Sequence, residues 1–226
     1  MFYTEIVKSL RAETNEVILF HSATGKDSIM LLDLLSKSFD RVHCVFMYVV
    51  PELEFENKYI AWAEKKYNNC SFIKTPHYAT YSFIKSGYLG IAKDPNIKQM
   101  SISQISKRVS KQTKIDWSVY GFKKIDSLAR RIMLNTYDNG IYYPTKKAYP
   151  LSDLKTKEVY NYISDNNLIP PFNYNNNRTT HSGCDIYMPE FLDYMRNKYP
   201  NDLKRIFAQF PETEVILFKY DSYGKN

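Results

Sequence analysis

Five polar residues fall within seven positions of one another: Ser22, Thr24, Lys26, Asp27 and Ser28. Three hydroxyls, a cation and a carboxylate are the groups that a phosphate site needs. Gly25 sits among them; it can take a positive φ and lets an anion approach the backbone. Asp27 can cap a helix that starts here or help hold Mg²⁺ on bound phosphates. A second set, Gly121, Lys123, Ser127 and Arg130, places a turn, two cations and a hydroxyl within ten residues. It reads as a second clamp for a phosphate or sulfate oxygen. The third candidate is Cys184. Its thiolate could act as a nucleophile if His181 and Arg178, near in sequence, lowered its pKa. The alternative is an inert loop thiol.

The elements that would position these groups can be read from the apolar pattern. Residues 17–20 form a short apolar run that predicts a buried strand, and residues 27–35 predict a helix with little polar face. A helix that begins at Lys26 or Asp27 turns its first free N–H groups and the positive end of its dipole toward the polar loop. An amphipathic helix is expected over 2–10. A second near-continuous apolar run covers 42–50, as in parallel strands buried on both faces. A helix over 54–67, a strand over 71–74, a helix around 81–85 and a fourth strand over 118–121 follow. The tail, 189–226, reads as two helices and a final strand over 214–219. Strand–helix–strand–helix–strand predicts an α/β fold with a doubly wound, mostly parallel sheet and a C-terminal, mainly helical extension. Ligands of such sheets sit at the carboxyl ends of the strands. The loops 22–25, 51–55 and 76–77 lie at that edge. The expected division is a nucleotide-binding unit over 1–145 and a helical, substrate-loop region over 146–226 packed on it.

The chain has 226 residues and a net charge of +7, which favours an anionic partner, a nucleotide or a nucleic acid. From Lys98 to Arg131 there are nine Lys/Arg against Asp116 and Asp126. That stretch is either a solvated helix face or a phosphate-binding surface, and it carries no RNA-binding signature. Three cysteines, Cys44, Cys70 and Cys184, are widely spaced, so neither a zinc knuckle nor a disulfide framework is expected. A reducing, cytoplasmic setting fits this usage. Residues 1–12 do not read as a signal peptide. No apolar run approaches the length of a membrane span, so no membrane is expected among the partners.

The glycine-led loop is not a G-x-x-x-x-G-K-[ST] loop. Its ending, Gly25-Lys26-Asp27-Ser28, resembles the PP-loop, S-G-G-x-D-S, of the ATP pyrophosphatase and phosphosulfate reductase superfamily. In that register Ala23 takes the first serine position and Ser22 comes one residue early. Gly121, Ser127 and Arg130 match the G-x-R-x-x-x-S-x-x-R pattern of phosphosulfate reductases, with Lys123 in place of arginine. Pro150, Leu151, Asp153, Val159, Tyr162 and Ile163 resemble the P-L-x-D-W-x-x-x-D-V-W-x-Y-I segment of the same family, with Leu154 and Tyr160 where tryptophans are usual. Residues 166–174 are similar to its n-L-P-x-x-P-L-Y approach, and 178–184 to its S-x-G-C turn. The chain thus resembles a phosphoadenosine phosphosulfate (PAPS) reductase-like protein.

This resemblance implies an adenine nucleotide alpha-hydrolase-like fold that binds ATP or PAPS with Mg²⁺ on Asp27. It implies that Ser22, Ala23, Thr24, Gly25, Lys26, Asp27 and Ser28 hold the pyrophosphate, with Gly121, Lys123, Ser127 and Arg130 as the second clamp. Lys26, Asp27 and Arg130 would then be catalytic, in a reaction at the α-phosphate that releases pyrophosphate and activates an acceptor. The acceptor could belong to nucleic-acid or sulfur modification. The alternatives are a PAPS reductase that uses Cys184 and a non-catalytic regulator that binds nucleotide or nucleic acid. Three thiols cannot supply the four ligands of an iron–sulfur cluster, so no cluster is expected. No cysteine or histidine follows Cys184, so the C-terminal E-C-G-x-H element of thioredoxin-dependent members is missing from this sequence. A homo-oligomer is compatible with all three readings.

Overall fold

The structure is a computed structural model of the protein and describes residues 2–174 and 185–224. Helix α1 (Phe2–Glu13) leads into β1 (Glu16–His21), and α2 (Lys26–Ser36), β2 (Arg41–Tyr48), α3 (Glu54–Lys66) and β3 (Cys70–Pro76) follow. Next come α4 (Tyr78–Ser86), α5 (Ile102–Thr113), β4 (Ser118–Val119) and α6 (Leu128–Asn135). The strands β5 (Ile141–Tyr142) and β6 (Lys147–Ala148) precede α7 (Thr156–Asp165), and the chain closes with α8 (Pro189–Lys198), α9 (Pro200–Gln209) and α10 (Glu212–Tyr223).

The apolar run of β1 is buried from Val17 to His21 because both of its faces are covered. Val17 and Leu19 pack with α1, α2 and α3, while Ile18 and Phe20 pack with α5 on the opposite face. The six strands run in the order β3-β2-β1-β4-β6-β5, parallel except for the edge strand β5. The order grows outward from β1 in both directions, so the reversal in winding lies between β1 and β4. There Ile18 is paired with Ser118 and Leu19 with Val119. The doubly wound, mainly parallel sheet and its helical C-terminal part are as the sequence pattern predicts.

Beyond residue 145 the chain still belongs to this sheet, through β6, and to its core, through Leu151, Val159, Ile163 and Leu168. Helices α8, α9 and α10 form a separate apolar cluster with Val49, Val50 and Leu53 from the link between β2 and α3 and with Phe55 of α3.

Residues 214–219 are helical, where the sequence pattern predicts a strand. A short apolar run does not distinguish the two by periodicity alone. Glu212 and Glu214 in the first turn favour the helix. Thr213 and Leu217, four apart, are buried, whereas Val215 and Phe218 are exposed. That is the pattern of a helix with one face covered.

Candidate functional site

The loop between β1 and α2 is held by its own polar groups. Ser22 N–H donates to Ser28 Oγ at 2.8 Å. Gly25 N–H donates to the Ser22 carbonyl at 3.0 Å, and Ile29 N–H to the Gly25 carbonyl at 3.0 Å. Ser28 therefore fixes the loop and keeps its hydroxyl hydrogen to give. Gly25 is the N-cap of α2 with φ −80° and ψ 134°, so the positive φ open to glycine is not used here. Glycine is suited here by space: a Cβ would stand 3.1 Å from Ser22 Oγ. Asp27 does not cap the helix, since that position belongs to Gly25; it sits in the first turn. Ala23 is wholly buried, its side chain in the core. Ser22 Oγ and Thr24 Oγ1 are buried without a hydrogen-bond partner among the described residues. An unsatisfied buried hydroxyl costs about 1–3 kcal/mol.

Across the switch point, the chain leaving β4 passes close to α2. A Cβ on Gly121 would lie 3.3 Å from Asp27 Cβ, which is why the smallest residue stands there. Lys123 is completely buried. Its Nζ lies 2.5 Å from Asp27 Oδ1 and 3.3 Å from Asp126 Oδ1. Lys26 Nζ holds the other oxygen of Asp27 at 2.9 Å. Arg130 Nη1 holds Asp126 Oδ2 at 2.7 Å and its guanidinium lies 4.1 Å from the centre of the Phe122 ring. Lys26, Asp27, Lys123, Asp126 and Arg130 thus form one alternating chain of charge. Burial acts to raise the pKa of Asp126, but the Lys123 N–H and ammonium, together with Arg130, hold it below the usual carboxylate range. Ser127 has a different part. It caps α6, its Oγ accepting from Arg130 N–H at 3.2 Å, and so orients the arginine.

These groups border a cleft of about 470 Å³ at the carboxyl ends of β1, β2 and β4. Ser22, Lys26, Asp27, Ser28, Gly121 and Arg130 line it; Lys123 lies beneath it and Ser127 outside it. Its other wall is aromatic and apolar. Phe20 stacks on Tyr120 at 4.7 Å, His77 lies 4.2 Å from Tyr78, and Met47 and Ile102 complete the surface. The site reading from sequence did not include His21, Tyr78, Ile102 or Phe122, and it placed His77 only in a strand-end loop. The signal for His21 was a lone imidazole closing an apolar strand.

Both histidines are held neutral by burial, His21 at a pKa of about 3 and His77 at about 4. His77 Nδ1 accepts from Ala79 N–H and caps α4. Tyr59 Oη is 3.1 Å from His21 Nε2, its only hydrogen-bond partner among the described residues. Burial raises the Tyr59 pKa well above its usual value, so the phenol keeps its proton. His21 Nδ1 is buried without a hydrogen-bond partner among the described residues.

Cys184, with Arg178 and His181, lies outside the described residues. The chain leading to it is anchored: Phe172 N–H donates to the Thr24 carbonyl at 3.2 Å. Tyr174 Oη donates to Asp185 Oδ2 at 3.0 Å, joining the two ends of segment 175–184. Cys44 is buried and Cys70 half-buried. Burial raises both thiols, Cys70 to about 11. Among the described residues no three His, Cys, Asp or Glu side chains gather as a metal site. Nor is any described helix long and apolar enough to cross a membrane.

A doubly wound sheet with a polar loop, a helix start and a charge chain at its switch point defines an α/β protein whose cleft lies at the carboxyl ends of its strands. The family model of the phosphoadenosine phosphosulfate reductase domain matches residues 17–176, so the chain belongs to that family of nucleotide-binding enzymes. Solved structures similar to it include the PAPS reductase of Candida auris in a phosphate complex, with 13% identity and a TM-score of 0.49 over 75% of this chain and 81% of that one. The U34-tRNA thiolase NcsA of Methanococcus maripaludis with its four-iron, four-sulfur cluster gives 17% identity and a TM-score of 0.47, over 96% and 79%. The ammonia-dependent NAD synthetase of Campylobacter jejuni in complex with nitrate gives 10% and 0.44, over 95% and 94%. No curated protein matches the chain in sequence.

Proposed function

We propose that the protein binds ATP with its phosphates on the β1–α2 loop and reacts at the α-phosphate, releasing pyrophosphate and leaving an adenylylated acceptor. The observation that carries this reading is Asp27. At the first turn of α2 it is shared between Lys26 in the cleft and the buried Lys123. The buried Lys123 fixes one carboxylate oxygen. The other faces Lys26 and is the oxygen that fits Mg²⁺, which is commonly held by one carboxylate together with the nucleotide phosphates. Mg²⁺ there supplies charge neutralisation for the polyphosphate. Ser22, Thr24 and the free N–H groups of α2 bind non-bridging oxygens, and Lys26 and Arg130 oppose the charge that develops on the leaving group. The aromatic wall of Phe20, His77 and Tyr78 takes the purine. An acceptor oxygen attacks the α-phosphorus, the bond from that phosphorus to the bridging oxygen breaks, and pyrophosphate leaves with the electron pair. The acceptor loses its proton. Catalysis is by positioning and charge.

PAPS reduction through Cys184 is the second reading. The match of residues 17–176 to the phosphoadenosine phosphosulfate reductase domain supports it. Calorimetric titration with ATP·Mg²⁺ and with PAPS tests both. ATP binding that Lys26→Ala with Asp27→Ala abolishes, and that Cys184→Ser leaves intact, supports the first reading. Binding of PAPS alone, with sulfite release lost in Cys184→Ser, overturns it in favour of the second.

A further inference from the structure

The excess charge of this protein falls within one stretch of its sequence, in which Lys123, Lys124 and Arg130 are already ion-paired. Residues 98–131 carry nine cations and two carboxylates, a balance of +7, which is the whole net charge of the chain; the remainder is neutral. Between residues 95 and 115 no acidic side chain occurs at all. Lys98, Lys107, Arg108, Lys111 and Lys114 are all exposed, and none forms an ion pair among the described residues. The bordering carboxylates pair with no cation of α5: Asp94 accepts from Asn96 N–H, and Asp116 pairs with Lys146 at 2.8 Å and accepts from Ser110 Oγ of α5 at 3.2 Å. A helix face this basic and this poor in counter-charges repels itself unless an anion covers it.

Packing fixes where that face is. Ile105 and Val109 are buried against the β1–β4 side of the sheet, together with Leu134 of α6. The cations of α5 therefore stand on the outer side. Ile102, at the start of α5, and Arg130 of α6 line the same cleft, so the basic layer begins at the rim of the proposed active site. Lys107, Lys111 and Lys114 follow one another by four and three residues, steps of about 6 and 4.5 Å along the helix. Phosphates of a nucleic-acid strand recur on that scale, about 3.4 Å apart along a duplex and farther apart in an extended strand. Leu128 and Ile132 of α6 are 69% and 59% exposed beside Arg131, and Tyr78 is 44% exposed at the cleft. They offer apolar and aromatic faces to unpaired bases.

We propose that the α5–α6 layer binds a single-stranded polynucleotide and that the acceptor is a base of that strand. This rests on the adenylylation reading above. A single strand is favoured because a track of cations that ends at a cleft can bind a backbone while one unpaired base enters the cleft. A flat anionic surface cannot deliver a group in that way.

The test is fluorescence anisotropy of a labelled single-stranded oligonucleotide with the wild type and with the triple variant Lys107→Gln, Lys111→Gln, Lys114→Gln. For five phosphate contacts, wild-type affinity should fall about 100-fold between about 50 and 200 mM salt. In the triple variant the salt exponent should drop by about 2, with ATP binding by calorimetry unchanged. Two outcomes overturn the proposal: the triple substitution leaves oligonucleotide binding unchanged, or phosphatidylserine vesicles or polyglutamate bind as tightly and lose as much in the variant. The two proposals fail separately. Oligonucleotide binding that depends on these lysines, without ATP binding, supports the surface and removes the adenylylation reading. ATP binding without oligonucleotide binding does the reverse.

Discussion

Lys123 is the residue on which the site turns. A fully buried ammonium is unfavourable unless well paired, and here it has two carboxylates from two segments. Its pairing joins the first turn of α2 to the loop after β4, the two sides of the switch point. The family pattern has arginine at this position. Lysine presents a compact point charge in place of a fork, which suits a site that contacts Asp27 Oδ1 and Asp126 Oδ1 from below. Lys123→Met is expected to destabilise the fold by about 1–3 kcal/mol, because Asp27 and Asp126 each lose a buried charged partner while Asp27 keeps Lys26 and Asp126 keeps Arg130. It should also abolish ATP binding while the protein is still folded. Urea denaturation and calorimetry on the same preparation check both, and unchanged stability would remove the structural part of this account.

Among the elements, α3 shows best what the sequence hides. Its N-terminus is capped by a residue far along the chain: Asp202 of α9 accepts from Glu54 N–H at 2.7 Å and from Phe55 N–H at 3.2 Å. Asp202→Ala should cost about 1–2 kcal/mol, the usual range for losing a cap. Thermal melting measures it, and Asp202→Asn, which keeps an acceptor oxygen, should recover much of the loss. The strands β1, β2 and β3 and the helix α2 were legible because their apolar runs are long and nearly continuous. Strands β4, β5 and β6 pair over two residues each, too few for a period to show, and only β4 was anticipated, from a glycine that ends it. Residues 214–219 misread because four apolar residues in a row fit both periods. At the site, the loop 22–28 and the set at 121–130 were legible from residue type and spacing. Their internal order was not: that Lys123 lies under the cleft depends on its contact with Asp27, 96 residues away in sequence.

At the scale of the whole molecule, stability is tied to pH through Glu56. This carboxyl is buried, its Oε1 without a partner among the described residues, and first burial, then the charge of Asp202, raise its pKa well above the ordinary 4.5. The sign follows from linkage. Below pH 4.5 both folded and unfolded chains hold the proton, and the contribution is fully present. As pH rises above 4.5 the unfolded chain releases the proton and the folded chain retains it, so stability is lost by up to about 1.4 kcal/mol per pH unit. His21, held neutral at a pKa of about 3, acts in the opposite direction as pH falls below 6.5. The difference between wild type and Glu56→Gln isolates the carboxyl. From pH 5 to pH 8 the urea midpoint of the wild type should fall relative to that of the variant, and parallel curves would contradict the assignment.

The cap that Asp202 places on α3 also has a consequence in time. The N–H groups of Glu54 and Phe55 wait for a partner 148 and 147 residues further along. At about 5–20 residues per second of synthesis, the start of α3 remains frayed for roughly 7–30 s after it has been made. The link that precedes it, residues 49–53, belongs to the apolar cluster of α8, α9 and α10 and is uncovered for the same interval. During translation this protein presents that apolar link to the surrounding chaperones until its last helices arrive.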